Sequence, residues 1–119
     1  MTKMITGVHG LIYSKQAELV RAFLRDKLNW AHIDSGGGWL IFALPPAELG
    51  VHPTDGEPVI ELYLMCDDIA ATKTELEANG VEFTEPITDA GFGLVSRIRI
   101  AEGETLGIYE PKHASPLTP

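Results

Sequence analysis

The sequence predicts an α+β protein built from two tandem βαβββ modules that form a curved mixed sheet, and three observations carry that prediction. Apolar side chains alternate at period two in several short runs, they recur at helical spacing in two longer ones, and the order of these runs is the same in both halves. Gly7 to Tyr13 reads as the first half-buried strand. Lys15 to Leu28 follows as a helix, with Leu19, Val20, Phe23, Leu24 and Leu28 at helical spacing and Ser14 placed to cap its start. Trp30 to Ile33 reads as a short strand, Gly36-Gly37-Gly38 as a turn, and Trp39 to Leu44 as a strand ending at Pro45-Pro46. Leu49 to His52 is its expected hairpin partner.

Residues 53–58 hold the turn-formers Pro53, Asp55, Gly56 and Pro58 and are the best linker in the chain. The order then begins again. Val59 to Cys66 reads as a strand, and Asp67 or Asp68 is placed to cap a helix from Ile69 to Asn79 that Gly80 terminates in a left-handed conformation. Val81 to Phe83 is a short strand, Glu85 to Gly93 a loop, Leu94 to Ile100 a strand, Ala101 to Glu104 a turn and Thr105 to Glu110 the closing strand. Pro111 to Pro119 reads as a loose tail. A local echo supports the repetition: Leu49-Gly50-Val51-His52-Pro53 answers Leu106-Gly107-Ile108-Tyr109-Glu110-Pro111.

The 119 residues, 45% of them apolar, are expected to form one domain with module one over about 4–53 and module two over about 59–112. Nine Lys and Arg against seventeen Asp and Glu give a formal net charge of −8, which argues against nucleic acid as a partner. No apolar stretch approaches the roughly 20 residues that span a bilayer, so a membrane is not an expected partner either. A single cysteine, Cys66, and the lack of a charged-then-apolar leader after Met1 lead to the expectation of a cytoplasmic protein. Cys66 falls on the strand face opposite Glu61 and reads as packing. Gly36-Gly37-Gly38 lacks the Lys-Ser/Thr ending of a phosphate loop, and Glu75 and Glu77 read as a solvated helix face.

Val8-His9-Gly10-Leu11-Ile12-Tyr13, the helix holding Phe23 and Leu24, and Leu28-Asn29-Trp30 together resemble the opening strand, helix and turn of the vicinal-oxygen-chelate superfamily. That superfamily includes glyoxalase I, bleomycin-resistance proteins and extradiol dioxygenases. Glu61-Leu62-Tyr63-Leu64-Met65-Cys66-Asp67-Asp68 resembles its second opening strand, and the resemblance runs from Met4 to Lys112. It implies a glyoxalase-like cup in which metal-dependent members hold an ion from the first and last strands of each module. By that resemblance the four ligand places fall on His9, Gly50, Glu61 and Gly107. Glycine offers no side-chain donor, so the four-ligand pattern is broken at both final strands. The turn before the last strand, Ala101-Glu102-Gly103-Glu104, also departs from the family's usual one.

Side chains two apart on a strand share a face, so one cup is expected to collect His9, Tyr13, His52, Glu61, Tyr63, Met65 and Tyr109. Phe92, between Gly91 and Gly93, sits in a loop able to close over the mouth, and Trp39 joins the same face if the hairpin register holds. The functional reading is an aromatic ligand wall, against which stands ordinary packing between modules. His9, His52 and Glu61 form the tentative metal set, a two-His-one-carboxylate pattern suited to Fe(II) or Zn(II), against which stands simple pairing of His9 with Glu61.

The paired glycines favour a metal-free binding protein for a hydrophobic or aromatic small molecule, as in the bleomycin-resistance branch. The alternative is a metal-dependent lyase, isomerase or dioxygenase using His9, His52 and Glu61. Whether the chain is an enzyme is left open at this point. A homodimer is expected, with each pocket completed by module one of one chain and module two of the other.

Overall fold

The computed structural model describes residues 9–50, 53 and 55–117. Eight elements follow one another: α1 (Ala17–Asp26), β1 (His32–Asp34), β2 (Leu40–Phe42), β3 (Tyr63–Met65), α2 (Ile69–Ala78), β4 (Thr88–Asp89), β5 (Gly93–Ala101) and β6 (Glu104–Pro111). This is an α+β chain with two helices and mixed sheet. No helix among the described residues is long and apolar enough to cross a membrane.

The second half builds a four-stranded sheet. Its strands lie in the order β3-β6-β5-β4, with β3 parallel to β6 and the other neighbours antiparallel. Strict alternation of Ser96-Arg97-Ile98-Arg99-Ile100 and of Leu106-Gly107-Ile108-Tyr109 sorts side chains between two faces. Leu106, Ile108, Ile98 and Ile100 take the face covered by helices, where they join Ile69, Val81, Val20, Leu24 and Ala101 in one buried cluster. α2 starts where Asp68, in an extended conformation, accepts the Ala71 backbone N–H at 3.1 Å. It stops where Gly80 takes φ 82° and Val81 N–H returns to the Leu76 carbonyl. The expected strand over 81–83 shrinks to a single bridge, Phe83 to Ile98, and the loop over 85–93 contains the two-residue β4.

The first half departs further from expectation. The helix begins at Ala17 and ends at Asp26, inside the predicted span from Lys15 to Leu28. Ser14 does not occupy the cap position, which belongs to Gln16. Its hydroxyl instead accepts the Gln16 N–H and donates to Glu104. The Gln16 side chain reaches the Glu102 carbonyl and Glu104 carboxylate, tying the start of α1 to the β5–β6 turn. Val20 and Leu24, four residues apart, press α1 onto β5, so both helices cover the same sheet. Leu19, at the same helical spacing, stays 59% exposed. β1 and β2 pair with each other as a separate hairpin, closed by Asp34 accepting the N–H groups of Gly36 and Gly38.

Residues 9–13, 43–50 and 57–62 form no strand, although the sequence predicts strands over 7–13, 49–52 and 59–66. Residues 7, 8, 51 and 52 lie outside the described residues. The physical reason is the lack of a pairing strand among the described residues. A strand needs a neighbour for its backbone N–H and C=O groups, and apart from Ala43 N–H, which donates to the Ala31 carbonyl at 2.8 Å, these three segments have none among the described residues. Among the described residues the first half shows α1-β1-β2 and not the full strand set of the module formed by β3 to β6. A Cα radius of gyration of 15.6 Å agrees with this looser half. Compact domains of this length have about 13.5 Å.

Candidate functional site

The sheet face turned away from the helices carries Tyr63, Gly107 and Arg97 in one cross-strand row. Met65, Tyr109, Val95 and Thr88 form the next row. Two glycines make this surface possible. A Cβ at Gly107 would collide with the Tyr63 ring, which lies over strand β6 at that point. A Cβ at Gly93 would stand 2.6 Å from the Glu110 carbonyl oxygen and 3.0 Å from Cδ2 of Tyr109. The sheet thus gives up a side chain at 107 to seat the Tyr63 ring, while a side chain at 93 is barred first by the Glu110 carbonyl.

Those rings form a cluster. Tyr63 and Phe92 each meet Tyr109 edge to face, with centroids 5.7 Å apart in both pairs and interplanar angles of 83° and 68°. Tyr109 is buried, and its hydroxyl donates to Glu48 Oε1 at 3.1 Å. Ser115 Oγ donates to the other oxygen of Glu48 at 2.7 Å, and His113 Nε2 stands 3.4 Å from Oε1. The Ser115 hydrogen bond, helped by those from Tyr109 and the nearby His113, holds the Glu48 carboxyl below its ordinary value against the opposing effect of burial. Burial, then the hydrogen bond to Glu48, pushes the Tyr109 phenol upward. The segment expected as a loose tail is in this way pinned to the loop after β2.

Beside the cluster opens a hollow of about 380 Å³ lined by Tyr63, Glu85, Pro86, Thr88, Val95, Ser96 and Arg97. Arg97 forms part of its floor. Its Nε donates to Thr105 Oγ1 at 2.8 Å and its Nη2 to the Thr105 carbonyl at 3.4 Å. The other arginine on this strand face, Arg99, is spoken for by Glu82 at 2.8 Å.

Of the residues singled out by sequence, Tyr63, Phe92 and Tyr109 come together, with Met65 in the row beside Tyr63 and 38% exposed. Tyr13 is 89% exposed and Trp39 69% exposed, and neither meets the ring cluster. Trp39 and Ile41 both face solvent on the β1–β2 hairpin. His9 and Glu61 are exposed and lie outside any strand, and His52 lies outside the described residues. Cys66 packs half-buried against the core, where burial raises its thiol.

No three His, Cys, Asp or Glu side chains among the described residues lie together as a metal ion requires. At position 107, where the resemblance places a ligand, the space a donor would use is filled by Tyr63. Within one chain the described residues do not fit a chelated divalent ion. Sequence reasoning passed over Arg97 and Glu48. Arg97 was legible, since the alternation Arg97-Ile98-Arg99-Ile100 puts both arginines on the face opposite the core. Glu48 follows Pro45-Pro46-Ala47 in an irregular segment and carried no signal.

No protein-family model matches the sequence, and no curated protein matches it. Solved structures do. TnmS3, an antibiotic binding protein from Streptomyces sp., superposes with a TM-score of 0.65 at 19% identity, covering 93% of this chain and 100% of that one. A lactoylglutathione lyase from Agrobacterium tumefaciens gives 0.60 at 17% identity over 91% of this chain and 96% of that one. A glyoxalase/bleomycin resistance protein/dioxygenase from Nocardioides gives 0.58 at 17% identity over 95% and 91%. These are vicinal-oxygen-chelate proteins, as the sequence resemblance implied. At such identities the likeness establishes a shared fold.

Proposed function

We propose that this chain, folded like the vicinal-oxygen-chelate proteins, is a binding protein of the glyoxalase/bleomycin-resistance type that holds a hydrophobic or aromatic small molecule without the full metal chelate. The observation that carries this reading is the Tyr63–Tyr109–Phe92 cluster on the uncovered sheet face, bordered by a hollow of about 380 Å³. Small-molecule sites are hollows of roughly 300–1,000 Å³ that pair aromatic and apolar walls with polar groups, and this hollow has that size, with Tyr63, Pro86 and Val95 beside Glu85, Thr88, Ser96 and Arg97. A glycine at 107 that seats a tyrosine ring suits a hydrophobic wall better than a metal. The antibiotic binding described for TnmS3 points the same way, at the level of shared fold.

The same reading makes the working unit a cytoplasmic homodimer. Leu11, Tyr13, Leu49, Val59 and Ile60 are all at least 69% exposed, and they sit in the unpaired segments predicted as strands. Exposed apolar chain with unpaired backbone invites pairing with another copy, and exchange of modules would cover it. On this reading His9 and His52 of one copy face Glu61 and Tyr109 of the other.

The test is a titration of the purified protein with N-phenyl-1-naphthylamine, a neutral probe that fluoresces in apolar surroundings, alongside elemental analysis. Saturable binding that survives chelator and is weakened by Tyr109→Ala is the expected result. Absence of binding, or a stoichiometric metal lost on His9→Ala, would replace this reading with the metal-dependent one.

A further inference from the structure

We propose that the hollow beside Tyr63 selects an aromatic monocarboxylate, with the ring against Tyr63 and Val95 and the carboxylate on Arg97. This rests on the binding reading above and names the class of ligand.

A guanidinium has five N–H donors. In Arg97 the Nε side faces Thr105, where Nε bonds the hydroxyl and Nη2 the carbonyl. Both acceptors are neutral. The outer edge, two hydrogens on Nη1 and one on Nη2, has no acceptor among the described residues, and that edge matches the two oxygens of a carboxylate. No carboxylate stands within ion-pair distance of Arg97 among the described residues, whereas Arg25, Arg99 and Lys112 each have one. Thr105 fixes the direction of the guanidinium, so its orientation is set before a ligand arrives.

The position is as informative as the charge. Tyr63 and Arg97 flank Gly107 from opposite sides in one row of the sheet, and both line the same hollow. Because position 107 has no Cβ, nothing projects between the ring and the cation. A planar ligand carrying an acid at one end reaches both at once. Glu85 lines the hollow as well. Its charge disfavours a second anionic group on the ligand, which limits the preference to a monoacid. The formal net charge of −8 makes attraction at long range unfavourable, so recognition depends on this local contact.

The experiment compares 2-naphthoate with 2-naphthamide, which share ring and shape and differ in charge, by calorimetric titration of the full chain at neutral pH. We expect the acid to bind roughly tenfold more tightly than the amide, as a charge-assisted hydrogen-bonded pair gives. Arg97→Gln is expected to bring the ratio near one, Arg97→Lys to leave an intermediate ratio, and Arg99→Gln to keep the full preference. Circular dichroism checks that each variant folds. Equal affinity of the two probes for the wild-type chain overturns the inference without recourse to any variant, and so does a preference that follows Arg99. If N-phenyl-1-naphthylamine still binds in that case, the binding reading stands alone. Failure of all three probes removes both.

Discussion

Gly107 and Tyr63 share one space, and their relation decides what the uncovered face of the sheet can be. Adding a methyl group at Gly107 drives Cβ into the Tyr63 ring, which must then leave its place over β6. Overpacking of this kind costs about 1–3 kcal/mol. Gly107→Ala should therefore lower stability by that amount in denaturant unfolding and should cost distinctly less in a Tyr63→Ala background, because the two residues are in contact. Strict additivity in this double-mutant cycle would show that the ring does not occupy the glycine's space. Glu48 offers a second residue-level test. Its folded pKa lies below the unfolded value of about 4.3, so the stability it contributes is complete above that pH and fades as pH falls through the folded value. Glu48→Gln should flatten the acid limb of the stability curve relative to wild type. Identical acid limbs would mean that the bonds from Ser115 and Tyr109 do not favour the charged form.

At the scale of elements, what the sequence made legible is what depends on neighbours close along the chain. α2 was readable because Asp68, the apolar spacing and Gly80 each act within a turn or two, and it was found one residue from its expected end. Asp68→Ala should cost about 0.5–2 kcal/mol in thermal or denaturant unfolding, through loss of the bond to Ala71 N–H. No measurable change would show that water replaces the cap at no cost. β5 and β6 were readable because alternation and the Glu102–Gly103 turn bring them together as a hairpin, although both run slightly past their predicted ends. The same alternation placed Tyr63 and Tyr109 on one face of the sheet. Strands over 7–13, 49–52 and 59–62 were predicted from the same kind of pattern, but a pattern states only that a segment suits a strand. It does not supply the partner that satisfies the backbone. The loop that holds Phe92 was readable because flanking glycines mark it beside β5. The acid–hydroxyl contacts of Glu48 with Ser115 and Tyr109 join positions more than 60 residues apart, which no local pattern reveals.

For the whole molecule we propose one connected claim: the second half provides a binding face, and a second copy completes the exposed segments of the first half. A sheet of four strands backed by two helices holds the rings and Arg97 in fixed rows, while the apolar segments before α1 and around the linker stay exposed in a single chain. The central part of that claim is that an aromatic ligand sits on this face and nowhere else. The measurement that tests it most directly is a heteronuclear NMR titration of the isotope-labelled protein with 2-naphthoate, following every assigned backbone amide. Saturable shifts are expected at Tyr63, Val95, Arg97 and Gly107, with Val20, Leu24 and the rest of the helix-covered face unmoved. Shifts centred on α1 and α2, or none at saturating ligand, would contradict it.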